Sequence, residues 1–290
     1  MSDRNKTLNV NYRHLSANDF AAAHQTCLAA FSDYFVPFEI SEMQFQNNLS
    51  QNAVDLNRSV GAFIDQSMVG YALCGFGLWN GKSTAYISGT GVIPEFRHRG
   101  IGARMFDFII PKLAEIGTEQ ILLEVISKNE NALKLYRKLG FECQRNLEIF
   151  EQPKSLELKP NRSVRIKKIE NPDWNAFEKF WEGKPSWQFS SEAIQREILR
   201  KEFYVAYFDN EFVGYGVCSP KGIISQLAVD RNHRRKGIGA AILAEMLANG
   251  DEKKSLRFSN IDSSLHETIG FIEHLSFSRI LVQFEMIKPL

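Results

Sequence analysis

The 290-residue sequence has no apolar run long enough to cross a bilayer, which takes about 20 residues. It has no surplus of charge either: 35 Lys and Arg against 34 Asp and Glu leave a net +1. A chain so balanced has no overall field to draw nucleic acid or anionic membrane to it. Cysteine is scarce. The four present, Cys27, Cys74, Cys143 and Cys218, show no Cys-x-x-Cys spacing. Each is read as lying in an otherwise apolar segment, which predicts buried thiols without a disulfide or metal role. The opening Met1-Ser2-Asp3-Arg4-Asn5-Lys6 has no apolar core behind it, so no secretory signal is expected. These absences leave an ordinary globular protein, expected in the reducing cytoplasm and long enough for about two domains.

Against that background one stretch carries chemistry: Val92-Ile93-Pro94-Glu95-Phe96-Arg97-His98-Arg99-Gly100-Ile101-Gly102-Ala103. An apolar run from Tyr86 to Ile93 precedes it and predicts a strand. Apolar residues at 105, 109, 113 and 116 follow at helical spacing. A strand, a basic glycine turn and a helix beginning at the turn aim several backbone N–H groups at one point. The positive end of the helix dipole adds to them, which makes a phosphate site. Gly100 and Gly102 allow close backbone approach, and Arg97, His98 and Arg99 add positive potential. A P-loop needs Lys-Ser/Thr after its last glycine, and a dinucleotide turn needs a third glycine. Neither is present.

The stretch recurs. Val229-Asp230-Arg231-Asn232-His233-Arg234-Arg235-Lys236-Gly237-Ile238-Gly239-Ala240 keeps the Arg-x-x-Gly-Ile-Gly-Ala spacing, again after an apolar run and before a helical pattern. Val69-Gly70-Tyr71 returns as Val213-Gly214-Tyr215, and Leu139-Gly140-Phe141 as Leu275-Ser276-Phe277. A repeat this long is a duplicated domain. The narrowing offset between copies predicts a second hairpin about seven residues shorter. Two prolines near Gln152 to Asn161 place a linker at 153–163, between domains at 1–152 and 164–290.

In the first half the pattern predicts a strand over 8–14 and a helix from a Ser16 or Asn18 cap to Phe31. A second helix over 42–50 and strands at 59–64, 68–78 and 82–93 follow. After the turn and its helix come a strand over 120–126, a helix over 129–139 ended by Gly140, and a strand over 141–150. The second half repeats this order, opening with a strand over 164–169. The fold class is α/β (α+β).

With Val-x-Pro-x-x-Arg-x-x-Gly-Ile-Gly on the fourth strand and third helix of the first half, and the same spacing without the proline in the second, each half resembles the GNAT superfamily of acetyltransferases. The first half also carries Leu-Glu-Val at 123–125, then Asn129-x-x-Ala132-x-x-Leu135-Tyr136-x-x-Leu139-Gly140-Phe141, the family's second motif. The resemblance covers nearly the whole chain twice. It implies two tandem domains, each a mixed, mostly antiparallel twisted sheet flanked by helices, and acetyl-CoA as co-substrate without a metal. Its pyrophosphate would lie on the N–H groups of Arg99 to Ala103, and its pantetheine arm along the strand ending at Val92. The Val92 N–H or a neighbour is the family's usual oxyanion donor.

Acetyl transfer to an amine needs a base, an oxyanion donor and an acid for the leaving thiolate. By the resemblance, Tyr136 is the candidate acid; its plain reading is a core aromatic on an amphipathic helix. Glu124 stands among Ile, Leu and Val where a carboxylate is unexpected. Its spacing to Tyr136 looks like that of the ribosomal-protein N-terminal alanine acetyltransferases, in which the glutamate is the base. The plain reading is an outward or ion-paired strand residue. Asn129 is a pantetheine contact, a helix N-cap, or both.

The second half keeps the turn (Val229, Arg234, Arg235, Lys236, Gly237, Ile238, Gly239, Ala240) but aligns Ile272 with Tyr136, Asn260 with Glu124 and Leu265 with Asn129. Asp262, Ser263 or His266 could substitute. Trp174, Trp181 and Trp187 fall where the family places acceptor helices, and are read here as core packing. The expectation is an N-acetyltransferase with a catalytic first domain and a CoA-binding second one. Its acceptor is a small amine or peptide N-terminus, and the protein is a monomer or homodimer. Reversed domain roles and a non-catalytic acyl-CoA sensor are the alternatives.

Overall fold

The computed structural model describes residues 9–34, 38–249 and 255–290. The N-terminal residues and the start of the strand expected from Leu8 lie outside that range. The chain divides into two compact units: residues 1–144 with 285–290, and residues 145–284.

In the first unit, β1 (Asn11–His14), β2 (Val60–Ile64), β3 (Ser67–Trp79), β4 (Lys82–Val92) and β5 (Gln120–Ile126) lie side by side in that order. The last residues of β12 (Ser278–Pro289) follow β5 at the edge. Helices α1 (Phe20–Ala30), α2 (Glu42–Gln51), α3 (Ile101–Glu115) and α4 (Glu130–Lys138) cover the faces. The second unit orders its strands as β7 (Arg165–Ile169), β8 (Glu202–Phe208), β9 (Glu211–Cys218), β10 (Ile223–Val229), β11 (Arg257–Asp262) and β6 (Glu142–Glu151). Its helices are α5 (Trp174–Phe177), α6 (Ser191–Arg196), α7 (Ile238–Ala248) and α8 (His266–His274).

The final strands do not stay where the chain order suggests. Residues 145–151 of β6 belong to the second unit, pairing antiparallel with β11, as in Phe150↔Phe258. Residues 285–290 belong to the first, where the Leu290 N–H donates to the Glu119 carbonyl at 3.0 Å. Phe150 is buried in the second unit's core with Phe258, Ile272 and Phe277. An apolar run such as Leu147 to Phe150 fits any strand edge over a core, so its sequence names no partner sheet. Boundaries at 152 and 164 therefore cut the chain differently from its packing.

Local signals explain most elements. Ser41 caps α2 and Gln44 returns the bond, a reciprocal pair at 3.2 and 2.9 Å. Helix α3 buries Met105, Phe106, Ile109 and Leu113 along one stripe. It starts at Ile101, within the turn as expected, because Gly100 takes the left-handed cap position itself (φ +78°). Helix α1 starts at Phe20, with Ser16 and Asp19 forming a capping box one short turn earlier. The second hairpin is shorter as expected, Glu211–Val229 against Ser67–Val92. Cys27, Cys74 and Cys218 are buried, but Cys143 is exposed. The expectation for Cys143 fails because it lies in the polar start of β6, between Glu142 and Gln144, before the buried run begins.

Candidate functional site

The two glycine turns are backbone copies. Each leaves its strand into a single 3-10 turn and passes an extended arginine, Arg97 (φ −66°, ψ 164°) or Arg234 (φ −61°, ψ 160°). Each then enters a left-handed residue, His98 (φ +61°) or Arg235 (φ +62°), and a left-handed glycine at the helix cap. Left-handed residues this close together turn successive N–H groups toward one side, the concavity that holds an anion. His98, Arg99 and Gly100 are exposed, as are Arg235 and Lys236, so both concavities face outward.

The leading arginines are braces. Arg97 donates through Nε to the Val92 carbonyl (3.1 Å), through Nη2 to the Ala30 carbonyl (2.7 Å), and forks onto Asp33 at 2.7 and 2.8 Å. It ties the turn to the strand before it and to the end of α1, and Asp33 offsets its charge. Arg234 donates to the Val229 carbonyl in the same way and pairs with Glu267 and Glu182. Positive charge available to an anion therefore rests on Arg99 and Arg104 in one unit, the latter with its guanidinium beside Gly100, and on Arg235 and Lys236 in the other.

Between the first turn and the sheet, two strands part. Parallel pairing of β4 with β5 runs from Thr84↔Gln120 to Ile87↔Leu123 and stops, although β4 continues to Val92 and β5 to Ile126. Glu124 is the first β5 residue past the last pair and is half-buried. Ser88 is its counterpart on β4, and there the β3 ladder bulges between Leu73↔Gly89 and Cys74↔Ile87. A bulge re-aims side chains and releases ladder hydrogen bonds. Val92 still faces Gly70 in the ladder, so the β4 residues by Glu124 are Ser88 and Gly89. Ser88 accepts a hydrogen bond from Asn52 Nδ2 at 3.0 Å. Asn52 gets there because β3 carries no side chain at Gly75, where a Cβ would meet the Asn52 carbonyl oxygen at 1.9 Å.

Tyr136 projects from α4. Its ring packs edge-on against Phe106 and Phe141, with centroids 5.8 and 5.7 Å away. Both readings of this residue thus have a physical basis: the ring is core, 7% exposed, and the phenol is aimed at β4. Burial pushes its pKa up to about 12; the Thr90 hydroxyl opposes that shift and the Tyr34 phenol adds to it. Thr90 lies beside Tyr136 without a hydrogen bond of ordinary geometry. At neutral pH the phenol is a proton donor, as an acid requires. Asn129 caps α4 by accepting from the Ala132 N–H at 3.2 Å, and its side chain also bonds the Tyr34 phenol.

In the second unit the parting is wider. Pairing of β10 with β11 covers only Ile223↔Arg257 and Ile224↔Phe258, and Ser225 is the bulge residue. A cavity of about 1330 Å³ runs from the turn (Arg235, Gly237, Gly239) past Ser225, Gln226 and Asn260 to Trp181 and Tyr215. Its buried end is polar but uncharged. Tyr215 donates to Gln226 (2.7 Å) and accepts from Trp181 Nε1 (2.6 Å); Gln226 donates to the Phe189 carbonyl (2.7 Å). Asn260 donates to Ser186 at 3.1 Å and accepts from Gln283 at 3.0 Å. Of the three tryptophans, Trp187 is buried as expected, Trp174 packs on Phe177 and Phe203, and Trp181 lines the cavity. Asp262 is held by Arg145 at 3.2 Å, and His266 and Asp262 also line the cavity. Ile272 replaces the tyrosine and is fully buried.

Sequence reading missed Asn52, Ser88, Thr90 and Tyr34. Ser88-Gly89-Thr90-Gly91 did carry a signal, since glycines inside a strand mark bulges and close approaches. Tyr34, in a loop, had none. Among the described residues no cluster of metal-binding side chains occurs, and no helix is long and apolar enough to cross a membrane.

Known proteins resemble this chain in sequence and in fold. An N-alpha-acetyltransferase of Arabidopsis thaliana is 35% identical over 80 residues, 28% of this chain and 42% of that one. A [ribosomal protein bS18]-alanine N-acetyltransferase of Salmonella typhimurium is 29% identical over 127 residues, 44% of this chain and 77% of that one. The chain thus spans less than half the length of the first of these relatives. Among solved structures, a tandem GNAT protein from the clavulanic acid biosynthesis pathway covers 97% of this chain and 98% of its own, with TM-score 0.72 and 15% identity, a likeness of fold. The acetyltransferase (GNAT) family model matches residues 24–141 and again 165–277, and the chain belongs to that family, with one family domain in each half.

Proposed function

We propose that the protein transfers the acetyl group of acetyl-CoA to a primary amine, with the chemistry in the first unit. The observation that carries this is the parting of β4 from β5 at Ile87↔Leu123, with Glu124 at the parting and the buried, protonated Tyr136 phenol aimed at the unpaired end of β4. The turn at 98–103 takes the pyrophosphate on its N–H groups, and the open edge of β4 pairs with the pantetheine as an added strand would. Glu124, directly or through one water, takes a proton from the amine. The amine nitrogen then bonds to the thioester carbonyl carbon, with an N–H released by the Ser88 bulge facing the oxyanion. As the C–S bond breaks, Tyr136 gives its proton to the CoA sulfur; the extra proton that the nitrogen carries after addition passes through water to the tyrosinate, and Glu124 releases the first proton to solvent. The Thr90 hydroxyl favours the ionised phenol at that moment.

Relatives that act on protein N-termini and the Glu124–Tyr136 spacing support a small amine or peptide N-terminus as acceptor. Buried free thiols support a reducing compartment, which cell fractionation tests. Tyr136→Phe is expected to lower kcat by roughly 10²-fold or more while acetyl-CoA affinity stays within about threefold. An unchanged kcat sinks the assignment. The second unit's cavity favours a second reading, in which that unit reacts and the first only binds CoA. Under it, Tyr136→Phe leaves turnover intact.

A further inference from the structure

The two phosphate turns differ in what lies over them. At Gly100 a Cβ would meet only the turn's own Arg104 side chain, at 3.9 Å. At Gly237 it would meet the backbone N of Asn161 at 3.1 Å, the Asn161 Cβ at 3.2 Å and the Lys159 carbonyl at 3.4 Å. Asn161 also donates from Nδ2 to the Lys236 carbonyl at 2.9 Å. It fixes its own loop by accepting from the Ser163 N–H (2.9 Å) and, through its carbonyl, from the Val164 N–H (3.1 Å). The connecting segment is therefore fastened to the second turn. Leu156 and Leu158 pack on the second unit's core, while Ser155, Glu157 and Lys159 line the cavity. Alternate residues go to core and cavity, as in a strand-like wall. The segment lines the cavity and leaves about 1330 Å³ open.

Two further observations point to a ligand there. Ser225 lines the cavity at the parting of β10 and β11, is 6% exposed, and its hydroxyl has no hydrogen-bond partner. A buried hydroxyl of this kind is costly unless something bonds it. At the other end Arg234 is neutralised by Glu182 and Glu267, so the phosphate concavity depends on other cations. Lys159 brings one from the connecting segment.

We propose that residues 155–161 form a wall of the second unit's CoA site. Lys159 faces the phosphate groups and Asn161 clamps the turn, so occupancy of the site holds this segment of the second unit in place. This rests on the second unit binding CoA, and it adds a contact to that site from outside the repeated domain. Neither half's repeat contains it, since the segment joins the copies.

The segment offers trypsin Lys154 and Arg162; the bond after Lys159 is closed to it by Pro160. Limited trypsin digestion of the full chain with CoA as the probe, against adenosine alone, is the test, alongside calorimetric stoichiometry. CoA is expected to slow cleavage at these sites by about fivefold or more, with adenosine giving none. Asn161→Ala is expected to lose most of that protection while still binding CoA. Lys159→Gln is expected to weaken CoA binding by about three- to tenfold in a chain whose first turn is disrupted by Gly102→Glu. Lys159 is exposed, and Asn161 is half-buried in a loop outside the core cluster, so neither substitution threatens the fold. Two CoA per chain with no protection of the segment overturns the proposal alone. One CoA per chain, lost with Gly102→Glu and retained with Gly239→Glu, overturns the second site and the proposal with it.

Discussion

The two units share a turn to within a few degrees and differ at the place where a reaction would occur. Past the last paired residue, the first unit has Glu124 and, on the facing helix, Tyr136. The second has Asn260, tied between Ser186 and Gln283, and Ile272 inside the core. An amide cannot take a proton from an amine, and an isoleucine cannot give one to a thiolate. The turn is a binding device built from backbone, which survives many side-chain changes. Acid and base are single side chains and are lost by one substitution each. Under the proposed function, the difference means that a phosphate turn reports where CoA would sit, and only the parted strands report what would be done with it.

The comparison can be broken from the first unit's side. Glu124→Gln is expected to lower kcat by roughly 10²-fold near neutral pH. The deficit should narrow as pH approaches the acceptor amine's own pKa, because the amine then arrives deprotonated. A deficit that is flat with pH contradicts a base role and leaves Glu124 a structural residue.

From the second unit's side, Ile272→Tyr places the missing phenol in the matching position. Ile272 is fully buried against Phe258 and Phe277, so the larger side chain is expected to cost about 1–3 kcal/mol in denaturant unfolding. It should create no activity in a chain carrying Tyr136→Phe, since Asn260 still supplies no base. Recovered turnover there would show that the second unit lacks only an acid.

The braces give a smaller, paired effect. Arg97→Ala frees the first turn from α1 and is expected to raise the KM for acetyl-CoA by about fivefold, roughly 1 kcal/mol, with kcat little changed. A fall in kcat without a change in KM contradicts a bracing role.

The smallest effect lies farthest from the site. The hydrogen bond from Arg13, at 2.6 Å, with help from Ser16, holds Asp19 down at about 2. Its folded pKa is below its unfolded value near 3.9, so the stabilisation is fully present above that value. It is lost as pH falls through the folded value. Asp19→Asn is therefore expected to lower stability at pH 6 and to converge with the unchanged chain near pH 2. Equal stabilities at pH 6 contradict the account.

Much of this was legible in the sequence. The glycine turns were, because left-handed caps and close approach leave few alternatives to glycine. The duplication and the order of elements were, because both halves repeat the same periodicities. The last strands were not: Leu147 to Phe150 is an apolar run that satisfies either sheet. Nor was Arg97's engagement with Asp33 and Ala30, which depends on where α1 ends relative to the turn. The hydrogen bond joining Asn52 to Ser88 needed two elements distant in sequence, brought together over Gly75. The fastening of residues 159–161 to the second turn was invisible for the same reason, since a proline-containing, charged stretch resembles any connector.

The most direct test of the central claim is acetyl transfer by two full-length variants, each with one disrupted turn. Gly102→Glu crowds the first turn against Leu135, where a Cβ would lie 3.3 Å from the side chain, and Gly239→Glu crowds the second against Phe271, at 2.9 Å; each also adds a negative charge beside a turn meant for phosphate. The account expects Gly102→Glu to remove turnover, and Gly239→Glu to remove one bound CoA per chain with a far smaller loss of turnover. Turnover that survives Gly102→Glu and disappears with Gly239→Glu would contradict it and give the chemistry to the second unit.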